Sequence, residues 1–241
     1  MKKRSLFSYH FLLLYLSFII EKRKGMLYMN LITFDLDGTL NRTDLYAVDA
    51  HAQAQREFHY PPLDPAFLIS TFGGRSCDYI KELLPGADDQ AEKAYLSRVA
   101  ELELVYMKKH SAPFDGVPEM LDKLHQAGCT LAICSNSSSR YIEAVLQAIG
   151  IRSQIDEIQP LYSGMTKVET LGLLLKRLNP TRAIMVGDRF FDLEAARKNR
   201  IPFIGCRFGY CEAEIKSADL VADTPEQVGK YVLSLLRIMK E

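Results

Sequence analysis

Five stretches of the chain are apolar without alternation: 31–36, 130–135, 183–187, 202–206 and 220–222. A strand that is apolar on both faces belongs in a parallel sheet with helices packed on either side. Elsewhere apolar residues recur at helical spacing, over 117–127, 141–149, 168–178 and 192–198. A last helix is predicted over 226–239, with Val228, Val232, Leu235 and Leu236 on one face. Strand alternating with helix predicts an α/β fold built on a doubly wound parallel sheet.

The stretch 45–110 breaks that alternation. It reads as helix throughout, with segments at 47–58, 65–84 and 89–109 punctuated by Pro61-Pro62 and Pro85-Gly86. A helical insertion directly after the first strand predicts a small cap domain over 45–111. The core is then assembled from 29–44 and 112–241. The leader, 1–28, stands apart from both. Lys2-Lys3-Arg4, an apolar run over 11–20 and Glu21-Lys22-Arg23-Lys24 imitate a secretory signal, but no small-residue cleavage site follows. The run is shorter than the ~20 apolar residues that span a bilayer. Two readings stay open: an artefactual or disordered extension, with the true start at Met26 or Met29, or a membrane-associated helix within 1–25.

Composition narrows the partners. With 48% apolar residues among 241, the chain can bury a sizeable core. Thirty basic side chains balance thirty acidic ones, so no basic field favours nucleic acid. Any phosphorylated ligand therefore needs a local cation. Five cysteines without a Cys-x-x-Cys pair read as reduced thiols of a cytoplasmic protein. His51, His59, His110 and His125 show no ligand spacing and are read as surface or cap residues.

The chemistry is concentrated where predicted strands end. Asp35 and Asp37 lie two residues apart, a spacing that sends both carboxylates to one side of an extended backbone. Gly38-Thr39 then turns the chain and directs main-chain N–H groups at a bound anion. Two facing carboxylates repel, which calls for a divalent cation or a shared proton. Alone, Asp-x-Asp-Gly equally describes an acidic turn or a calcium-type loop. Three further elements change that reading, because open parallel sheets bind ligands beyond the carboxyl ends of their strands. Ser135-Asn136 offers a hydroxyl and an amide for phosphate oxygens, although Ser there also suits a helix N-cap. Lys167 opens a helix. Gly187-Asp188 ends another strand, with Asp192 one helical turn further on. The set supplies carboxylates for an oxygen-loving cation, a hydroxyl and an ammonium for phosphate, and a spare acid for proton transfer.

With these four segments in order, the chain resembles the haloacid dehalogenase-like hydrolase superfamily, in its phosphoglycolate-phosphatase-like branch. The resemblance runs from Asn30 to about Val228. It implies a Rossmann-like core with a helical cap, and a magnesium-dependent phosphatase acting on a small phosphorylated metabolite. It further implies Asp35 as the nucleophile of an aspartyl-phosphate, Asp37 as general acid and base, Ser135 and Lys167 as phosphate-binding catalytic residues, and Mg²⁺ held by Asp35, Asp37, Asp188 and Asp192. Gly38, Thr39 and Asn136 would line the phosphate. Dehalogenases and phosphonatases of the superfamily lack the second acid, so Asp37 implies an oxygen leaving group. Thr71-Phe72-Gly73-Gly74-Arg75 resembles the cap loop that reaches the active site, making Arg75 a candidate substrate ligand. Arg189 and Cys211 depart from the family pattern, where a small hydroxyl residue and a glycine are commoner. A phosphomutase of the β-phosphoglucomutase type and a non-catalytic binding module are the alternatives, and the resemblance fits a monomer or a homodimer.

Overall fold

The structure is a computed structural model and describes residues 28–239. Six strands, β1 (Asn30–Phe34), β2 (Cys129–Cys134), β3 (Glu157–Gln159), β4 (Arg182–Gly187), β5 (Phe203–Cys206) and β6 (Leu220–Ala222), form one sheet in the order β3-β2-β1-β4-β5-β6. Every pairing is parallel. This is the Rossmann strand order, with its switch point at the centre of the sheet, between β1 and β4.

Period-two alternation explains why the strands read as continuously apolar. Ile32, Phe34, Leu131, Ile133, Ile184 and Val186 face one layer, where α5 (Val117–Gln126), α6 (Ser139–Ala148) and α9 (Pro225–Ile238) bury Leu121, Ile142 and Val232. Leu31, Ala132, Met185 and Phe203 face the other, against Leu171 and Leu174 of α7 (Lys167–Leu178) and Ala195 and Ala196 of α8 (Phe190–Asn199). Both faces of the central strands are buried, as the sequence pattern requires.

Between β1 and α5 the chain makes four helices: α1 (Asp44–Glu57), α2 (Pro65–Thr71), α3 (Ser76–Leu83) and α4 (Asp89–His110). α1 lies against α4, and buried Ala47, Ala50 and Ala54, on one helical face, keep α1 slim on its buried side. The chain enters and leaves this insertion side by side: Arg42 N donates to Ala112 O at 3.0 Å and Phe114 N to Leu40 O at 3.1 Å.

One expectation is corrected and one element is added. The single helix predicted over 65–84 is broken, because Phe72 is extended (ψ 145°) and Gly73 takes φ +78°, which a helix cannot contain. β3 was not predicted, since three residues with two polar side chains carry no apolar run. No helix among the described residues is long and apolar enough to cross a membrane. The expected leader, apart from Tyr28, lies outside the described residues.

Candidate active site

The register of the three central strands sets the site. Phe34, Ile133 and Val186 stand level, so Asp35, Ser135 and Asp188 emerge within two residues of that line at the same sheet edge. Asp35 N still donates to Val186 O at 2.9 Å, which fixes the nucleophile candidate to the end of β4. Thereafter the chain curls: Leu36 O accepts from the N–H groups of Thr39, Leu40 and Asn41. Gly38 sits at φ +82° within this curl, and a Cβ there would stand 2.4 Å from Asp188 Oδ2. Only glycine lets the turn close onto Asp188.

Asp35, Asp188 and Asp192 are all buried, and one oxygen from each falls within 4.8 Å of the others. Lys167 Nζ donates to Asp35 Oδ1 at 2.6 Å and ion-pairs with Asp192 Oδ1 at 2.5 Å. Its place follows from local sequence, since a Thr166–Glu169 capping box starts α7 there and points Lys167 back across the sheet edge. Asp188 is anchored by Thr39 Oγ1 at 3.2 Å and Tyr210 N at 2.8 Å. Asp192 Oδ2 accepts from Arg189 N at 3.0 Å.

Three buried carboxylates facing one ammonium leave negative charge uncompensated. Burial, reinforced by the neighbouring Asp35 and Asp192 carboxylates, pushes Asp188 well above the ordinary carboxylate range. Burial also raises Asp35 and Asp192, although Lys167 opposes it at both. Asp35 Oδ2 is buried and has no hydrogen-bond partner among the described residues. An orphaned carboxylate oxygen inside an acidic cluster fits a hard divalent cation such as Mg²⁺.

Asp37 is held by a network that sequence reasoning missed. Its Oδ1 accepts from Thr43 Oγ1 at 2.6 Å, Tyr141 Oη at 3.1 Å and Asn41 Nδ2 at 3.1 Å. Asn41 Nδ2 also reaches Thr43 Oγ1 and Tyr46 Oη, each at 2.9 Å, so two amide hydrogens serve three acceptors. Ser137 Oγ donates to Asp37 Oδ2 at 3.3 Å. The carboxylate is thereby oriented from the turn, from the residue that caps α1 and from α6 at once. The polar run Asn41-Arg42-Thr43 after apolar Leu40 was the one available hint.

The family model for haloacid dehalogenase-like hydrolases matches residues 32–206, which contain Asp35, Asp37, Ser135, Lys167, Asp188 and Asp192. The chain belongs to this family. Within it, the chain falls in the phosphoglycolate-phosphatase-like branch. A phosphoglycolate phosphatase of Caulobacter vibrioides is 30% identical over 216 residues, covering 85% of this chain and 91% of that protein. An N-acetylmuramic acid 6-phosphate phosphatase of Pseudomonas aeruginosa is 27% identical over 215 residues, covering 82% and 92%. Among solved structures, one described as a predicted phosphoglycolate phosphatase of Haemophilus somnus superposes with a TM-score of 0.77 at 19% identity, covering 84% of this chain and 97% of that one. At that identity it supports the fold alone.

The insertion of this haloacid dehalogenase-like hydrolase closes directly over the acids. A Cβ on Gly73 would lie 3.6 Å from Asp35 Oδ2 and 3.5 Å from Asp37 O, so the loop between α2 and α3 roofs the site. Asn136 Nδ2 donates to Gly73 O at 2.9 Å, tying that loop to the end of β2. Ser135, buried beside it, accepts from Ser137 N at 3.1 Å through its hydroxyl oxygen. Arg75 is not brought into the site: its guanidinium forms a two-point ion pair with Asp78, which opens to solvent. Arg189, noted only as a departure from pattern, is buried and bonds Phe72 O, Tyr79 Oη at 3.1 Å and Glu214 at 3.0 Å. It thereby clamps the roof loop to the core. His51 is in the insertion as expected but buried, with Nδ1 2.9 Å from Tyr95 Oη.

A cavity of about 280 Å³ extends from Asp37 under this roof, with Ser137 and Tyr141 on one side and Thr71, Tyr79 and Glu103 among its other lining residues.

Proposed function

We propose that the chain is a magnesium-dependent phosphatase that hydrolyses a small phosphomonoester through an aspartyl-phosphate on Asp35. The observation that carries this reading is Asp35 Oδ2, a buried carboxylate oxygen without a partner among the described residues, beside Lys167 and two further acids. The phosphatase activities named for the two relatives point the same way.

The proposed chemistry follows from where each group stands. Lys167 offsets charge between the nucleophile and the phosphoryl oxygens, so that two anions can approach. One carboxylate oxygen of Asp35 attacks phosphorus, the bond from phosphorus to the ester oxygen breaks, and Asp37 delivers a proton to that leaving oxygen. Asp37, now a carboxylate, takes a proton from water. The resulting nucleophile attacks phosphorus in line, the Asp35–phosphorus bond breaks, and inorganic phosphate leaves. The Asn41–Thr43–Tyr141 network keeps Asp37 aimed at the ester oxygen through both steps. Ser135, Asn136 and the turn at Gly38 and Thr39 supply donors to the phosphoryl oxygens. Asp35, Asp188, Asp192 and the Asp37 carbonyl would hold Mg²⁺, which supplies electrostatic stabilisation of the transferring phosphoryl group.

In this reading residues 45–111 form a cap on a core of 29–44 and 112–241. The bridged segments at 40–42 and 112–114 are its hinge, and the Gly73 loop excludes water when it closes. The free thiols among the described residues suit a cytoplasmic enzyme. The test is phosphate release from an aryl phosphate with magnesium: steady turnover by the native protein and none by Asp35→Asn. Turnover that survives Asp35→Asn would end the proposal.

A further inference from the structure

The cavity beside Asp37 offers hydroxyl-seeking groups and no counter-ion for an anion. Thr71, Tyr79, Asn136, Ser137 and Tyr141 bring hydroxyls and an amide to its wall. Phe72, Leu83, Leu96 and Val99 supply apolar surface beside them. Among the described residues no lysine or arginine lines it. Three nearby cations are engaged elsewhere: Lys167 with Asp35 and Asp192, Arg189 with Glu214 and the roof loop, Arg75 with Asp78. Arg140 lines a neighbouring depression that shares Ser138 and Tyr141 with the cavity.

Glu103 is the one acidic side chain that α4 contributes to this wall. No hydrogen bond or ion pair joins its carboxyl to any described residue, so a polar group reaches the cavity with its bonding capacity unused. Burial, and then the nearby Asp37 carboxylate, push Glu103 up to about 8. Near neutral pH it is mostly protonated, both an O–H donor and an acceptor. Burial likewise keeps His51 neutral. A substrate carboxylate or second phosphate would meet the Asp37 carboxylate, and no lysine or arginine among the described lining residues would compensate it. A hydroxylated carbon chain finds donors, acceptors and an apolar wall together. The volume lies just under the roughly 300–1,000 Å³ of drug-sized sites, suiting a monosaccharide better than a nucleotide.

We infer that the leaving group is a hydroxyl-bearing alcohol of monosaccharide size without an anionic group of its own, bound in this cavity with Glu103 as a hydrogen-bonding partner; the inference rests on the phosphatase reading. It departs from an acidic, phosphoglycolate-like substrate.

The experiment measures kcat/KM of the full chain with magnesium on a hexose phosphate, a hexitol phosphate, phosphoglycolate, phosphoethanolamine and p-nitrophenyl phosphate. The two polyol esters are expected to exceed phosphoglycolate and phosphoethanolamine by at least about tenfold. Glu103→Leu should raise KM for the polyol esters about tenfold, and Glu103→Gln should restore most of that loss. Phosphoglycolate or phosphoethanolamine as the best substrate, or a Glu103→Leu protein with unaltered KM, overturns the inference and leaves the phosphatase reading standing. Failure to hydrolyse any of the five overturns both.

Discussion

The Lys167 ammonium lies 2.6 Å from Asp35 Oδ1, and both side chains are all but excluded from solvent. The pair joins the start of α7 to the end of β1 across the sheet edge. Burial works against the charged lysine, yet the Asp192 and Asp35 carboxylates hold its pKa above the ordinary lysine value, so it stays protonated throughout the working range.

Lys167→Met is therefore expected to damage both stability and turnover. Removing the one ammonium from this cluster costs roughly 3–5 kcal/mol in the presence of a chelator. Added magnesium should recover part of that loss, because it binds the folded acids. Urea denaturation with and without magnesium measures both, and a variant as stable as the native protein in chelator would contradict the electrostatic account. Turnover should fall by about a hundredfold or more.

Arg189 makes a second such link. Its guanidinium reaches Phe72 O and Tyr79 Oη in the insertion and Glu214 in the core. Arg189→Lys keeps the charge but loses the planar fork. The roof loop should then open more often, seen as faster amide exchange over 68–80 and an increase of about tenfold in KM. Unchanged exchange in that segment would show that Arg189 does not hold the loop.

How much of this was legible in the sequence depends on the range of the interactions concerned. The parallel sheet was visible because β1, β2, β4 and β5 are apolar on both faces. The site residues were visible because Asp35, Ser135 and Asp188 directly follow strands, Lys167 opens a helix and Asp192 lies in the first turn of the next. The break at Phe72–Arg75 was hidden because one apolar run continues through it, and only the positive φ at Gly73 and the contacts below it end α2. Asp37's network was hidden because Tyr46 and Tyr141 come from helices 95 residues apart in sequence. Arg75 and Arg189 show the limit of motif position. The arginine placed in the cap loop turns to Asp78, while the one beside Asp188 anchors that loop.

His51 provides a pH prediction. Burial pushes its pKa down to about 4 from 6.5, so the unfolded chain binds a proton that the native state refuses between those values. Stability from this group is complete above pH ~6.5 and is lost as pH falls toward 4, by up to about 3 kcal/mol. His51→Gln should flatten the stability difference between pH 7.5 and pH 5, approximate values chosen to bracket the window. Urea denaturation at the two values checks this, and an equally steep loss in the variant would remove His51 as its cause.

The central claim is that phosphate passes through a covalent bond to Asp35. Asp37→Asn should still accept phosphate from an aryl ester, whose leaving oxygen needs little protonation, but should release it about a hundredfold to ten-thousandfold more slowly. The most direct measurement is acid quench of Asp37→Asn during turnover of an aryl phosphate, followed by intact-mass and peptide analysis. The account predicts one phosphate per chain, on the peptide containing Asp35 and absent when Asp35→Asn is added. Phosphate carried on Ser135 instead, or phosphate release continuing in Asp35→Asn alone, would contradict it.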